Sequence, residues 1–173
     1  NIEESVMKSK RLYLYYLQMG RCAYTGNSIN LDDILTKDRT DSYYDIDHIY
    51  PRSQTKDDSF NNLVLVEKKS NQTKTDKYLC EFPDIQAKMN GTWHGWQKMG
   101  LISKDKLYRL TRKTKLTDEE LAGFINRQLV ETSQSVKAVS QIIQKIYPET
   151  KIVYVKARNV SDFRNGFVKL GEN

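Results

Sequence analysis

The run Tyr43-Tyr44-Asp45-Ile46-Asp47-His48-Ile49, with Asn62 and Asn71 downstream, constrains this chain most. Tyr43 to Ile49 reads as a short strand that Pro51 ends. Gln54 to Ser59 is a charged loop, and Leu63-Val64-Leu65-Val66 is a second strand. From Glu67 no β-branched run follows until Thr73, so this stretch reads as a short helix. Strand, loop, strand, helix makes a ββα unit of about thirty residues, the scale of other small supersecondary units.

That unit gathers the groups a phosphodiesterase needs. Cleaving a phosphodiester requires a deprotonated water, a polarised phosphate and a stabilised leaving oxygen, and one hard cation can serve the last two. Mg²⁺ keeps several waters and takes few protein oxygens. Asp47 offers a carboxylate, and Asn71 on the following helix offers an amide oxygen; with the helix packed across the hairpin both can face one point. His48 is the natural general base near neutral pH. A regular strand puts Asp47 and His48 on opposite faces, so a bend near Pro51 is expected to let them converge. Asn62, in the turn into the second strand, is placed to hydrogen-bond the loop backbone and fix His48. Asp45 reads as a solvent-facing or structural carboxylate. Against all this stands the ordinary reading, in which Asp-His is an unremarkable surface pair and the asparagines are turn residues.

Composition bounds the alternatives. A chain of 173 residues is one domain with room for appended segments. Twenty-eight Lys and Arg against 22 Asp and Glu give a net charge of +6, which suits a polyanion partner and equally suits plain solubility. No apolar run reaches the roughly 18 residues of a membrane span, so no membrane partner is expected. The first residue is Asn1, which points to a piece of a longer chain. Two cysteines, Cys22 and Cys80, supply neither a disulfide framework nor the paired thiols of structural zinc, so no zinc is expected. No Gly-x-Ser-x-Gly elbow or Cys-His arrangement supports acyl transfer. His94, between Trp93 and Trp96, is a packing or surface residue in this reading, because no carboxylate flanks it.

The remainder reads as mainly helical. Glu3 to Met19 is a helix that Gly20 terminates. Asn30 caps a short turn through Leu35, and Lys37 to Ser42 is polar loop. Pro83 opens a helix toward Met99, and Ser103 caps Lys104 to Leu110. Thr117 with Glu120 is a capping-box pattern at the head of a long helix to about Tyr147. Ile152 to Val155 is a strand candidate, and Ser161-Asp162-Phe163-Arg164 begins a last helix.

These motifs carry a resemblance. Asp47-His48-Ile49-Tyr50-Pro51, Asp57-Asp58-Ser59-Phe60-Asn61-Asn62 and Lys69-Ser70-Asn71-Gln72-Thr73-Lys74 together resemble the HNH nuclease domain. More specifically they resemble that of the type II CRISPR RNA-guided DNA endonucleases, the Cas nine effectors. Leu12 to Arg21 looks like the helix leading into that domain. Phe124 to Thr132 looks like its exit linker, with Arg127-Gln128-Leu129-Val130-Glu131-Thr132 the most specific run, and Ser161 to Arg164 like the return toward a RuvC-like domain.

The resemblance implies an α+β fold with a ββα-metal (HNH) core in a mainly helical domain. It implies a leading linker helix over 1–20, the nuclease domain over 21–115 with its core at 43–75, an exit linker helix over 116–147, and the start of the RuvC-like return over 148–173. By the same resemblance His48 is the general base, Asp47 and Asn71 are metal ligands, Asn62 supports the histidine loop, and Lys74 is placed to approach a phosphate. The cofactor implied is Mg²⁺, for which Mn²⁺ substitutes.

The implied substrate is the target DNA strand in a guide RNA–DNA heteroduplex. The other implied partners are the remaining domains of the effector and an anti-CRISPR inhibitor protein, in a bacterial cytoplasm. Two rival functions are a stand-alone HNH homing or restriction endonuclease, which the exit-linker run argues against, and a non-enzymatic nucleic-acid-binding module.

Overall fold

A computed structural model describes residues 2–146 and 148–149. The chain divides into two compact units, residues 1–125 and 126–173. The strand expected at Ile152–Val155 and the helix expected from Ser161 lie outside the described residues.

The first unit opens with α1, Ile2–Leu17. Its end is set by backbone chemistry: Met19 and Gly20 both take positive φ, 53° and 67°, and Gly20 N–H returns to the Tyr15 carbonyl at 2.8 Å. The short helix α2, Leu31–Thr36, is capped by Asn30, whose Oδ1 accepts from Asp32 N at 2.9 Å. Next come β1, Tyr44–His48, and β2, Leu63–Glu67, which pair antiparallel with Asp45 opposite Val66 and Asp47 opposite Val64.

A two-stranded ribbon is marginal alone and leaves an edge to satisfy. Here Gln18 serves that edge: its amide donates to Leu65 O and its carbonyl accepts from Leu65 N, both at 2.8 Å. Ala23 N adds a bond to Leu65 O at 3.1 Å. The four apolar residues Leu63 to Val66 are all buried, as expected of a strand covered on both faces.

The loop expected between the strands contains one helical turn, α3, Arg52–Thr55. Pro51 at its head and left-handed Lys56 at its foot confine it to that turn. After β2 the chain enters α4, Lys68–Lys74, which packs across the ribbon. A 3₁₀ turn at Leu79–Glu81, too short to show a pattern in the sequence, leads to α5, Pro83–Lys98. Trp93 of α5 is fully buried and pins the helix to the ribbon side through Nε1–H to Ala23 O at 2.9 Å.

Ser103 caps α6, Lys104–Thr111, by accepting from Lys106 N. The Thr117–Glu120 capping box closes in both directions at the head of α7, Asp118–Ile146. Phe124 of α7 meets the Tyr50 ring edge-on at 6.1 Å. The fold is thus mixed α and β, a small antiparallel ribbon inside a mainly helical shell. In the second unit α7 continues to Ile146, and Gln144 reaches the Pro148 carbonyl at 3.0 Å.

Candidate active site

The pleat of β1 divides the site. Asp45 and Asp47, two residues apart, share the face that α4 covers. His48 takes the other face, toward the loop that returns to β2. Register is regular through His48, so the convergence expected from a bend near Pro51 does not occur within the strand.

On the α4 face the pairing is specific. Asp47 Oδ2 accepts the Tyr24 hydroxyl at 2.5 Å and lies 3.0 Å from Lys74 Nζ, which also donates to His48 O at 2.8 Å. Lys74 is only 1% exposed, so the ammonium expected near a phosphate is here an internal counter-ion. Burial pushes the Asp47 carboxyl up from its ordinary range, and the Lys74 charge and Tyr24 hydrogen bond oppose that push. The Tyr24 hydroxyl itself is driven well up by burial and by the Asp47 charge, so it remains the donor.

Asn71, one turn before Lys74, donates through Nδ2 to Asp45 Oδ2 at 3.2 Å. Asp45 is also gripped by Arg39 Nε at 3.2 Å and is 9% exposed, so it is not solvent-facing. The structure therefore brings Asn71 to Asp45, and Lys74 to Asp47. The choice between the two carboxylates depends on where α4 crosses β1, which no spacing in the sequence reveals.

The donors on this face are two carboxylates and an amide, oxygen groups that suit a hard divalent cation with few protein ligands. Among the described residues no group of three or more His, Cys, Asp or Glu side chains is gathered. A cation held here would rest on one or two carboxylates with the amide. Lys74 already supplies part of the positive charge that Asp47 calls for.

On the other face His48 is about one-fifth exposed, and its Nε2 lies 2.7 Å from Asp58 Oδ1. Arg52 of α3 grips the same carboxylate at 3.1 and 3.3 Å. Burial would raise Asp58, but hydrogen bonds from His48 and Arg52 outweigh it and hold the carboxyl below its ordinary range. An ionised carboxylate only accepts, so Nε2 carries the hydrogen, and in a neutral imidazole Nδ1 is then the bare nitrogen. Asp58 stands in the Asp57-to-Asn62 run that carries the resemblance, but neither its spacing nor its place in the charged loop marks it as the partner of His48.

Asn62 is fully buried and holds the loop together. It accepts from Tyr50 N at 2.9 Å and donates to Tyr50 O and Asp57 O at 3.1 and 3.0 Å. His94 lies exposed on α5, with Nδ1 against the Asn90 carbonyl at 2.8 Å.

A ββα unit with a histidine on one strand and oxygen donors beneath its helix is the arrangement of an HNH-type nuclease core. Residues 22–79 match the family model described as HNH endonuclease, and the chain carries an HNH endonuclease domain. The match extends beyond that core. The chain is 38% identical over 179 residues to the CRISPR-associated endonuclease Cas9 of Streptococcus mutans, covering 96% of this chain and 13% of the relative. To the protein of the same description from Listeria innocua it is 36% identical over 176 residues, covering 93% of this chain and 12% of the relative. The CRISPR-associated endonuclease Cas9 1 of Streptococcus thermophilus is 29% identical over 89% of this chain and 14% of its own length. The chain belongs with the HNH domains of the Cas9 endonucleases, and it spans only about an eighth of the length of these relatives. No described helix is long and apolar enough to cross a membrane.

Proposed function

We propose that this chain is the module of an RNA-guided effector that hydrolyses the DNA strand paired with the guide, working in the bacterial cytoplasm. Its direct partners are then the target strand in the heteroduplex and the remaining domains of the effector. An inhibitor protein that covers the histidine face would be a further partner.

In this reading His48 Nδ1 takes a proton from the attacking water. Asp58 holds the ring through Nε2 and stabilises the imidazolium that forms. Asn62 fixes the loop that carries Asp58. Mg²⁺, or Mn²⁺ in its place, would be held by Asp47 and Asn71, and when bound it supplies Lewis acidity at the phosphate and the leaving 3′ oxygen. For Asp47 and Asn71 to act together, Asn71 turns its amide away from Asp45 and Asp47 shares or releases Lys74. A released Lys74 ammonium would lie within reach of the substrate phosphate.

The observation that carries the reading is the His48–Asp58 contact of 2.7 Å, which leaves one bare ring nitrogen on a partly exposed imidazole. Similarity along nearly the whole chain to the Cas9 proteins supports the guide-directed setting. The test is a guide-loaded effector carrying this domain with His48→Ala. The guide-paired strand should stay uncut while the displaced strand is still nicked. Undiminished cutting of the guide-paired strand would refute the assignment.

A further inference from the structure

The loop from Asp57 to Asn62 carries the partner of His48, yet the ribbon alone does not hold that loop. One face of α6 does. Ser103, Lys106 and Arg109 recur every three residues and so line one side of the helix.

Ser103 Oγ donates to Asn61 Oδ1 at 2.8 Å. Lys106 Nζ donates to Phe60 O at 3.0 Å and Leu63 O at 2.5 Å, bracketing Asn62. Arg109 Nη1 meets Asp57 Oδ2 at 2.6 Å, one residue from Asp58, and its guanidinium lies 5.2 Å from the centre of the Tyr50 ring.

The two cations of this face are costly to bury, Arg109 less so because Asp105 also pairs with it at 2.9 Å. Lys106 is 3% exposed and Arg109 is 5% exposed, and the Lys106 ammonium donates to two carbonyls. An apolar helix face would cover this loop at less desolvation cost. What the charged face adds is direction: four contacts fix the path of the backbone on both sides of Asp58 and Asn62. The mechanism described above makes no use of these side chains.

We propose that Lys106 and Arg109 are positioning residues for His48: α6 clamps the 57–63 loop so that Asp58 meets the ring at Nε2. The inference rests on His48 being the base of the proposed reaction. Misplacement of a catalytic group by about 1 Å lowers rates by about 100-fold, so a loosened clamp should be visible in the chemical step.

The experiment uses the guide-loaded effector and reads single-turnover cleavage of each strand. Lys106→Met and Arg109→Gln should slow cutting of the guide-paired strand about 10- to 100-fold. Cutting of the displaced strand, which reports an intact complex, should not change. Arg109→Lys, which keeps a charge for Asp57, should recover much of the rate. Asp58→Asn combined with Arg109→Gln should be no slower than Asp58→Asn alone, because both act through one contact; a purely structural role for Arg109 would multiply the two losses.

Asp57→Asn, which removes no buried cation, repeats the test should Arg109→Gln fail to fold. Unchanged rates in folded Lys106→Met and Arg109→Gln, or multiplying losses in the double variant, would overturn the clamp while His48→Ala remained inactive. Activity in His48→Ala would overturn the clamp and the proposed function together.

Discussion

Two lysines, one on α4 and one on α6, are buried almost equally and do opposite things. Lys74 on α4 faces a carboxylate, Asp47, and the pair sits with the Tyr24 hydroxyl in a closed polar triad. Lys106 on α6 faces the carbonyls of Phe60 and Leu63. Both reach the same hairpin, one from below the acidic face and one from beside the histidine loop. In the proposed reaction, Lys74 is tied to a side chain that changes partners when the cation is held. Lys106 is tied to backbone that must not move. Burial lowers the Lys106 ammonium to about 7, with Arg109 adding to the fall.

The largest expected effect comes from breaking the α4 triad. Lys74→Met leaves the Asp47 charge buried and short of a partner, a loss of ~3–5 kcal/mol. Urea unfolding of the chain at neutral pH measures it, and a loss below ~1 kcal/mol would mean that the ion pair is dispensable. Next comes Tyr24→Phe, which removes one donor to the same carboxylate and should lower stability by ~1.5–3 kcal/mol in the same assay.

Lys106→Met is the smallest at neutral pH, within ~1 kcal/mol, because relief of ammonium burial offsets the two lost carbonyl bonds. Its signature is the pH profile. The folded pKa lies below the ordinary 10.5, so between pH 7 and 9 the unfolded chain binds more protons than the folded one. Wild-type stability should therefore rise with pH relative to Lys106→Met, by up to ~1.4 kcal/mol per pH unit. A flat difference would remove Lys106 from the contrast with Lys74.

Much of the frame could be read from local chemistry. Asn30, Ser103 and the Thr117–Glu120 box start their helices as capping rules require, and Gly20 with its positive φ marks the turn after α1. The ribbon followed from two strand-forming runs. The single turn of α3 reads as loop in the sequence, because four residues carry too little periodicity to register, yet it is this turn that delivers Arg52 to Asp58.

At the site, strand alternation separates His48 from Asp47 without any structure. It cannot say which carboxylate meets Asn71, since that depends on the crossing of α4. Nor can it say that Asp58 turns to His48, because the loop is also held by Ser103, Lys106 and Arg109, far along the chain.

The five residues of β1 work as a partition wall. Odd positions Asp45 and Asp47 open into a buried compartment of paired charge, and even position His48 opens toward solvent and the loop. A one-residue insertion inside the strand would exchange the two rooms and hand the imidazole to Lys74. The same insertion between Lys56 and Ser59 would leave both rooms intact and alter only how Asp58 reaches across. Tolerance to length change should therefore be abrupt within five residues and gradual outside them, a pattern that a library of single-residue insertions would draw directly.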